Sequence, residues 1–344
     1  MQTIKVFYFP LLSGAFSIKL PSLSDVLFFQ LKNSKTMSTD THFDVIIIGG
    51  SYAGLSAAMA LGRSLRHILI IDSGQPCNQQ TPHSHNFITQ DGETPSAIAQ
   101  KAKDQVLSYP GVMLLHDKVQ QAERQADHFS VVTASNVPYT ADKLLFATGI
   151  RDQLLPIDGF AECWGISVLH CPYCHGYEVS GQTLGVLANG DMGFEFAKLI
   201  HHWSPKLTLF TNGPSTLTEQ QFQKLQAAHI EIIEKPIHSL QHTEGRLEKI
   251  SFNDGSTHDI SALFARVPFE QHSLIPQELG CELTESGHIN VDELAHTTVE
   301  GVYAAGDNTS FMRAVSAAVA AGTKAGASIN KDLIEERFGV TTLV

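Results

Sequence analysis

Apolar positions along the chain fall in short unbroken runs that end in glycine-rich turns, with small-residue helical segments between them. Phe43-Asp44-Val45-Ile46-Ile47-Ile48 is one such run. Its β-branched content and lack of alternation predict a parallel strand buried on both faces. It leads into Gly49-Gly50-Ser51-Tyr52-Ala53-Gly54, and residues 55–64 then predict a helix. Residues 67–71 predict a second strand ending at Asp72, 23 positions after Gly49.

This strand–turn–helix–strand unit carries a dinucleotide-binding signature. Gly49 permits the tight turn, and Gly54 lets the helix approach the sheet. Ser51, with a small polar side chain, stands where a middle glycine is usual. The helix N-terminus offers backbone N–H groups and a positive dipole end to a pyrophosphate. Asp72 is placed to accept hydrogen bonds from an adenosine ribose. Near the other end, Gly301-Val302-Tyr303-Ala304-Ala305-Gly306-Asp307 predicts a short strand ending in a glycine and an acid, and residues 313–330 predict a helix. Together with Ala147-Thr148-Gly149, this stretch resembles the FAD-binding pattern of flavoproteins with two dinucleotide domains.

Cys171-Pro172-Tyr173-Cys174-His175-Gly176-Tyr177-Glu178 is the most informative octapeptide. Two cysteines at this spacing can close and reopen a small disulfide, and the spacing commonly lowers one thiol's pKa. His175 can carry the proton that such exchange moves. Three other readings stand beside this one: a zinc site drawing on His170, Cys163 or His175, a structural disulfide, and a pair of inert buried thiols. Zinc ribbons usually add a second CxxC or a spaced histidine pair, and neither is present. Cys77, Cys163 and Cys281 stand alone and read as small apolar residues.

Taken in order, these motifs resemble the low-molecular-weight thioredoxin reductases over residues 43–330. The resemblance implies an α/β fold of two Rossmann-like dinucleotide-binding domains, the second inserted into the FAD domain. The FAD domain is expected at 37–154 and 271–344, and the pyridine-nucleotide-like domain carrying the CxxC at 155–270. It implies that Cys174 lies next to the flavin while Cys171 attacks the substrate disulfide. Asp307 is expected at the ribityl chain, and Met312-Arg313-Ala314-Val315 at the pyrimidine end of the flavin. A helix N-terminus there stabilises negative charge on the reduced ring. A homodimer is implied as well.

Two departures alter the picture. Thioredoxin reductases place an aspartate after the second cysteine, whereas this chain has His175. CPYCHGYE is similar to the branch containing dithiol oxidases of disulfide natural products, in which histidine deprotonates substrate thiols and oxygen reoxidises the flavin. The second departure lies in the NADPH motif. Residues 183–187 predict a strand, followed by Ala188-Asn189-Gly190-Asp191-Met192-Gly193 and a helix starting near Phe194-Glu195. Ala188 replaces the first glycine. The next strand, residues 206–210, leads to Thr211-Asn212-Gly213-Pro214, with no basic residue between Lys206 and Lys224. A 2′-phosphate lacks its guanidinium fork there, so NADH or weakly held NADPH is expected rather than a strong NADPH preference. His83-Ser84-His85-Asn86-Phe87 reads as a loop lying along the flavin.

Composition narrows the functional class. The 344 residues are 43% hydrophobic and 17% charged, an ordinary globular profile. Acids outnumber bases 35 to 23, giving a net charge of −12, which excludes general affinity for nucleic acid or anionic membranes. No apolar run reaches the roughly 18–20 residues of a membrane span. Five cysteines are too few for a disulfide-stapled secreted scaffold. Residues 1–36 differ in charge, with Lys5, Lys19, Lys32 and Lys35 against Asp25, and crowd five phenylalanines without a clean period. They read as a leader or a mis-assigned extension before a start at Met37, in a cytoplasmic protein.

The expected activity is an FAD-dependent disulfide oxidoreductase. Electrons pass from NAD(P)H through FAD and the Cys171–Cys174 pair to a thioredoxin-like protein or a small disulfide. The alternatives are an oxygen-dependent dithiol oxidase and a non-catalytic redox sensor or zinc-binding module.

Overall fold

The computed structural model describes residues 41–341; the expectation for residues 1–36 lies outside them. The first apolar run forms the strand His42–Ile48, buried from Val45 to Ile48. It sits in the middle of a seven-stranded sheet. On one side it pairs in parallel with Ile68–Asp72, which pairs with Val112–His116. On the other it pairs in parallel with Pro138–Phe146. The start of that strand continues into an antiparallel meander through Phe129–Thr133 and Val119–Arg124. Its last residues pair in parallel with Val302–Ala304, so Phe146 and Ala304 end level.

The chain leaves this sheet after Phe146 and returns through Phe269–Gln271, which pairs antiparallel with Ile150–Asp152. The outgoing and returning connections therefore lie side by side. Between them a second sheet forms, wholly parallel, in the order Glu231–Ile233, Leu207–Phe210, Leu184–Leu187, Ala262–Ala265, Val168–Leu169. A three-stranded antiparallel layer, Ile237–Thr243, Arg246–Phe252 and Thr257–Asp259, packs on this unit and contributes Leu240, Ile250 and Phe252 to its core. The fold is α/β with two Rossmann-like units, the second inserted into the first.

Helix Tyr52–Arg63 covers one face of the first sheet through Leu55, Ala57, Ala58 and Leu61. Helix Val315–Thr341 packs on it at backbone distance. A Cβ at Gly322 would fall on the Ala53 carbonyl, and one at Gly326 would lie 2.7 Å from the Ala57 carbonyl oxygen. Ser56 Oγ donates to the Val319 carbonyl across the same contact at 2.7 Å. Small residues in both helices thus serve close packing.

Three boundaries differ from the sequence expectation. The first helix starts at Tyr52 rather than residue 55. The C-terminal helix starts at Val315, leaving Arg313 and Ala314 in the preceding turn, and continues to Thr341. The helix expected near Phe194-Glu195 starts at Gly190, because the side chain of Asn189 accepts the Gly190 N–H and caps it.

Candidate active site

At the C-terminal end of His42–Ile48 the backbone turns with Gly49 at φ +109°, held by a 2.8 Å bond from its N–H to the Ile71 carbonyl. A Cβ at Gly49 would collide with the Ala147 carbonyl, and one at Gly54 with the Gly49 carbonyl. Gly50 donates its N–H to Asp72 Oδ1 at 3.1 Å, and a Cβ on Gly50 would lie 2.8 Å from that of Asp72. Asp72 thus closes onto the turn, with Lys103 Nζ 3.9 Å from its other oxygen. Ser51 occupies the N-cap of Tyr52–Arg63 in extended conformation, and its side chain makes no capping bond. The first N–H groups of the helix are therefore left for another acceptor.

Ala147, Thr148 and Gly149 follow Phe146, beside Gly306, Asp307 and Asn308 at the end of the paired strand. Gly306 has φ +102°, and a Cβ there would come within 3.0 Å of that of Ala53. Asn308 Nδ2 donates to the Phe146 carbonyl at 2.9 Å, tying the two strand ends together. Arg313 donates through both terminal nitrogens to Asp152, each at 2.8 Å, and its Nε lies 3.8 Å from Asp307 Oδ2. Burial pushes the Asp307 carboxyl up to about 6; the Arg313 charge works against this rise and Asp152 adds to it.

Three buried polar atoms here, Thr148 Oγ1, Asn308 Oδ1 and Arg313 Nε, have no hydrogen-bond partner within the protein. Buried polar groups are rarely left unsatisfied. With the open helix N-terminus and the glycine cradle, they fit a dinucleotide cofactor.

The inserted unit carries the cysteines at the C-terminal edge of its sheet. Strand Val168–Leu169, paired with Ala262–Ala265, leads through His170 into the single-turn helix Pro172–His175. Cys171 and Cys174 are disulfide-bonded, with Cα atoms 5.3 Å apart. Pro172 fits the first turn because its missing N–H is not needed there. His175 N–H bonds the Cys171 carbonyl at 3.2 Å, and Gly176 N–H the Pro172 carbonyl at 2.7 Å. A side chain at Gly176 would strike Trp203 Nε1 at 2.7 Å. The turn is therefore pinned from behind while Tyr173 and Tyr177 face solvent.

Burial pushes the pKa of His175 down; His85 acts in the same direction and Glu178 opposes it. His170 stacks on Trp164 at 6.0 Å. Its pKa falls to about 4, first through burial and then through Arg313. Its Nε2 is buried without a partner. Among the described residues, no group of three or more histidines, cysteines or acids is arranged to hold a metal ion.

Two features were not anticipated. His85 faces the cysteine turn, its ring 6.3 Å from that of His175. Its Nε2 is 3.5 Å from Glu178 Oε1. Cys163 and Cys281 are buried as expected of small apolar residues, but Cys77 is not. It is exposed, with its sulfur 4.0 Å from Asp307 Oδ2. Protein crowding and the Asp307 charge push that thiol up to about 11. Neither position carries a sequence signal, since both acquire their neighbours across more than 80 residues of chain.

The second nucleotide turn keeps its cradle: Gly190 has φ +55°, and a Cβ at Gly193 would lie 3.0 Å from the Ala188 carbonyl oxygen. The following loop closes over it. Asn189 Oδ1 accepts from Thr216 N and Oγ1 at 2.8 and 3.1 Å, and its Nδ2 donates to the Pro214 carbonyl at 2.9 Å. Gln221 Nε2 binds Asp191 Oδ1 at 2.7 Å. The segment after Phe210 carries no basic residue before Lys224 to grip a 2′-phosphate.

Fold and site together define a two-unit dinucleotide-binding protein with a redox cysteine pair. The profile of the pyridine nucleotide-disulphide oxidoreductase family matches residues 43–322, and the chain belongs to that family. It is 32% identical over 314 residues to thioredoxin reductase tcpT of Claviceps purpurea, covering 88% of this chain and 98% of that protein. The structure of a putative thioredoxin reductase, TrxB, from Bacillus anthracis superposes with a TM-score of 0.82 at 32% identity, covering 86% and 99% of the two chains. An oxidoreductase from Agrobacterium tumefaciens superposes with a TM-score of 0.80 at 34% identity, covering 85% and 99%. The chain is accordingly an FAD-dependent disulfide oxidoreductase of the thioredoxin reductase type, with FAD and NAD(P)H as its cofactors. No described helix is long and apolar enough to cross a membrane.

Proposed function

We propose that the protein exchanges electron pairs between NAD(P)H and a disulfide substrate through Cys171 and Cys174. One observation carries this reading: the two cysteines are bonded to each other on a half-buried turn that presents Tyr173 to solvent, beside a histidine that burial keeps neutral near physiological pH. FAD, when bound, supplies the two-electron couple that links nucleotide and cysteines. The backbone of Gly49, Gly50, Ser51, Tyr52, Ala53 and Gly54 would hold its pyrophosphate and Asp72 its ribose. Ala147, Thr148, Gly149, Gly306 and Asp307 would hold the ribityl region, and Arg313, Ala314 and Val315 the pyrimidine end.

In the reduced pair His175 takes the Cys171 thiol proton as that sulfur attacks a substrate disulfide, and passes the same proton to the departing substrate sulfur. Cys174 then displaces the substrate from Cys171 and restores the internal disulfide. The substrate is a thioredoxin-like protein or a small disulfide. The relatives named as thioredoxin reductases support the former. The reading carries a homodimer in a reducing, cytoplasmic compartment as its setting.

A second reading reverses the flow, with a dithiol oxidised at the pair and oxygen as the final acceptor. The closed loop over the second turn and the missing 2′-phosphate grip favour it. Anaerobic addition of NADH, NADPH and dithiothreitol to separate samples of the flavin-loaded protein tests both. Bleaching of the visible band by NADH, followed by disulfide reduction, is the expected result. Bleaching by dithiothreitol alone replaces the first reading with the second, and a band untouched by every reductant rejects both.

A further inference from the structure

The loop carrying His83 and His85 is built to hold one ring in place. Ser84 and its partners close it, with Ser84 N–H to the Glu93 carbonyl at 2.8 Å and Gly92 N–H to the Ser84 carbonyl at 2.9 Å. His83 Nδ1 meets the Gly92 carbonyl at 2.8 Å. Asn86, at φ +59°, donates its N–H to Asp91 Oδ1 at 2.7 Å. This frame sets His85 between two carboxylates, Nδ1 3.7 Å from Asp91 Oδ1 and Nε2 3.5 Å from Glu178 Oε1. The ring meets that of His175 edge to face, at 89°.

We infer that His85 is a positioning residue for thiol–disulfide exchange: it takes up the carboxylate charge beside the redox turn and so leaves His175 free to accept a thiol proton. The inference rests on the reading that Cys171–Cys174 exchanges with a dithiol.

The physical case is electrostatic. Glu178 follows His175 by three residues, and its negative charge favours the imidazolium form of that ring. An imidazolium cannot act as a base. His85 Nε2, 3.5 Å from Glu178 Oε1, pairs with that carboxylate, and its effect on His175 is opposite to that of Glu178. Asp91 faces the other nitrogen of His85 at 3.7 Å, the His83 ring lies 6.5 Å from that of His85, and His170 is kept neutral by burial on the strand side.

When the oxidised pair meets a dithiol, one substrate thiol gives its proton to His175, and its sulfur bonds Cys171 as the Cys171–Cys174 bond breaks. The Cys174 sulfur leaves and takes that proton. The second substrate thiol then closes the substrate disulfide, and Cys171 departs as a thiol. Two electrons pass from the dithiol to the pair, whose disulfide is the oxidant.

The experiment uses the flavin-loaded protein, anaerobic, with dithiothreitol as the probe. The initial rate of dithiol oxidation is followed from pH 5 to 8, and the His175 midpoint is read separately by NMR of labelled imidazoles. His85→Gln should raise that midpoint by about one pH unit and move the acid limb of the rate profile with it. Glu178→Gln should move both the other way, and the double variant should return both to the wild-type position. A midpoint unmoved by either single variant overturns the inference. So does a rate lost equally at every pH, which marks a merely structural loop. Cys171→Ser, run alongside, tests the underlying reading: if it oxidises dithiothreitol like the wild type, the exchange role fails whatever the NMR shows.

Discussion

Arg313 grips Asp152 with both ends of its guanidinium, each nitrogen 2.8 Å from a carboxylate oxygen, in a site where the two side chains are only 16% and 8% exposed. Asp152 ends the strand by which the chain leaves the first sheet, while Arg313 precedes the helix that closes the fold. One fork thus joins the crossover to the C-terminal segment and holds Asp307 within reach of a positive charge.

Breaking that pair leaves charge buried without compensation. Arg313→Gln should cost about 3–5 kcal/mol of stability, the range for one-sided loss of a buried ion pair. Arg313→Lys should recover little, because an ammonium cannot make both bonds in one plane. Urea denaturation of the flavin-loaded variants measures this; a loss below about 1 kcal/mol would place the pair with weak surface bridges.

Two glycines with left-handed backbone separate conformational strain from collision. Gly74, at φ +74°, has open space where a Cβ would go, whereas a Cβ at Gly49 meets the Ala147 carbonyl. Gly74→Ala should therefore cost only the backbone term, about 1–2 kcal/mol. Gly49→Ala should yield protein that either fails to accumulate or emerges colourless. Recovery of yellow, fully loaded Gly49→Ala protein would mean that the turn is not the cofactor's cradle.

The sequence exposed what is local. The run ending at Ile48, the glycines after it, the acid at Asp72 and the spacing of Cys171 and Cys174 each lie within one element or its adjoining turn, and the structure brings all of them to strand ends. The antiparallel layer Ile237–Asp259 escaped, because its strands alternate only weakly and gain their apolar partners from the neighbouring sheet. The early start of Gly190–Ile200 escaped for a different reason. Asn189 is fixed as a cap by Thr216 and Pro214, which approach from a loop more than twenty residues away. His85 was read only as part of a loop, since nothing near it in sequence announces Glu178 as its neighbour.

The five cysteines of the chain should divide by accessibility and redox state. In the oxidised protein Cys163 and Cys281 are buried, and Cys77 is crowded with its thiol pushed up to about 11, so alkylation near pH 8 should be slow at all three. Brief dithiothreitol treatment should expose two fast-reacting thiols, located by peptide mass at Cys171 and Cys174. Cys171→Ser should hold its cofactor while disulfide turnover falls to background. Fast labelling of Cys163 before reduction would contradict its burial.

His296 gives the fold a pH dependence of opposite sense to that of a buried neutral histidine. Its Nδ1 is 2.8 Å from Asp292 and its Nε2 2.7 Å from Asp332, which also accepts the Tyr303 hydroxyl. Burial alone would lower its pKa, but hydrogen bonds to Asp332 and Asp292 outweigh burial and raise it above 6.5. The pKa values of both carboxyls are lowered, although burial opposes this, and they stay ionised through neutral pH. A raised folded-state pKa means that the folded protein holds this proton more tightly than the unfolded chain does. The stabilisation is then complete below pH 6.5 and fades as pH rises through the folded-state value. Relative to wild type, His296→Asn should lose more stability at pH 6 than at pH 8.5, measured as a difference in melting temperature in matched buffers. A difference that grows with pH would show that the ring is held neutral and that the two acids do not share its charge.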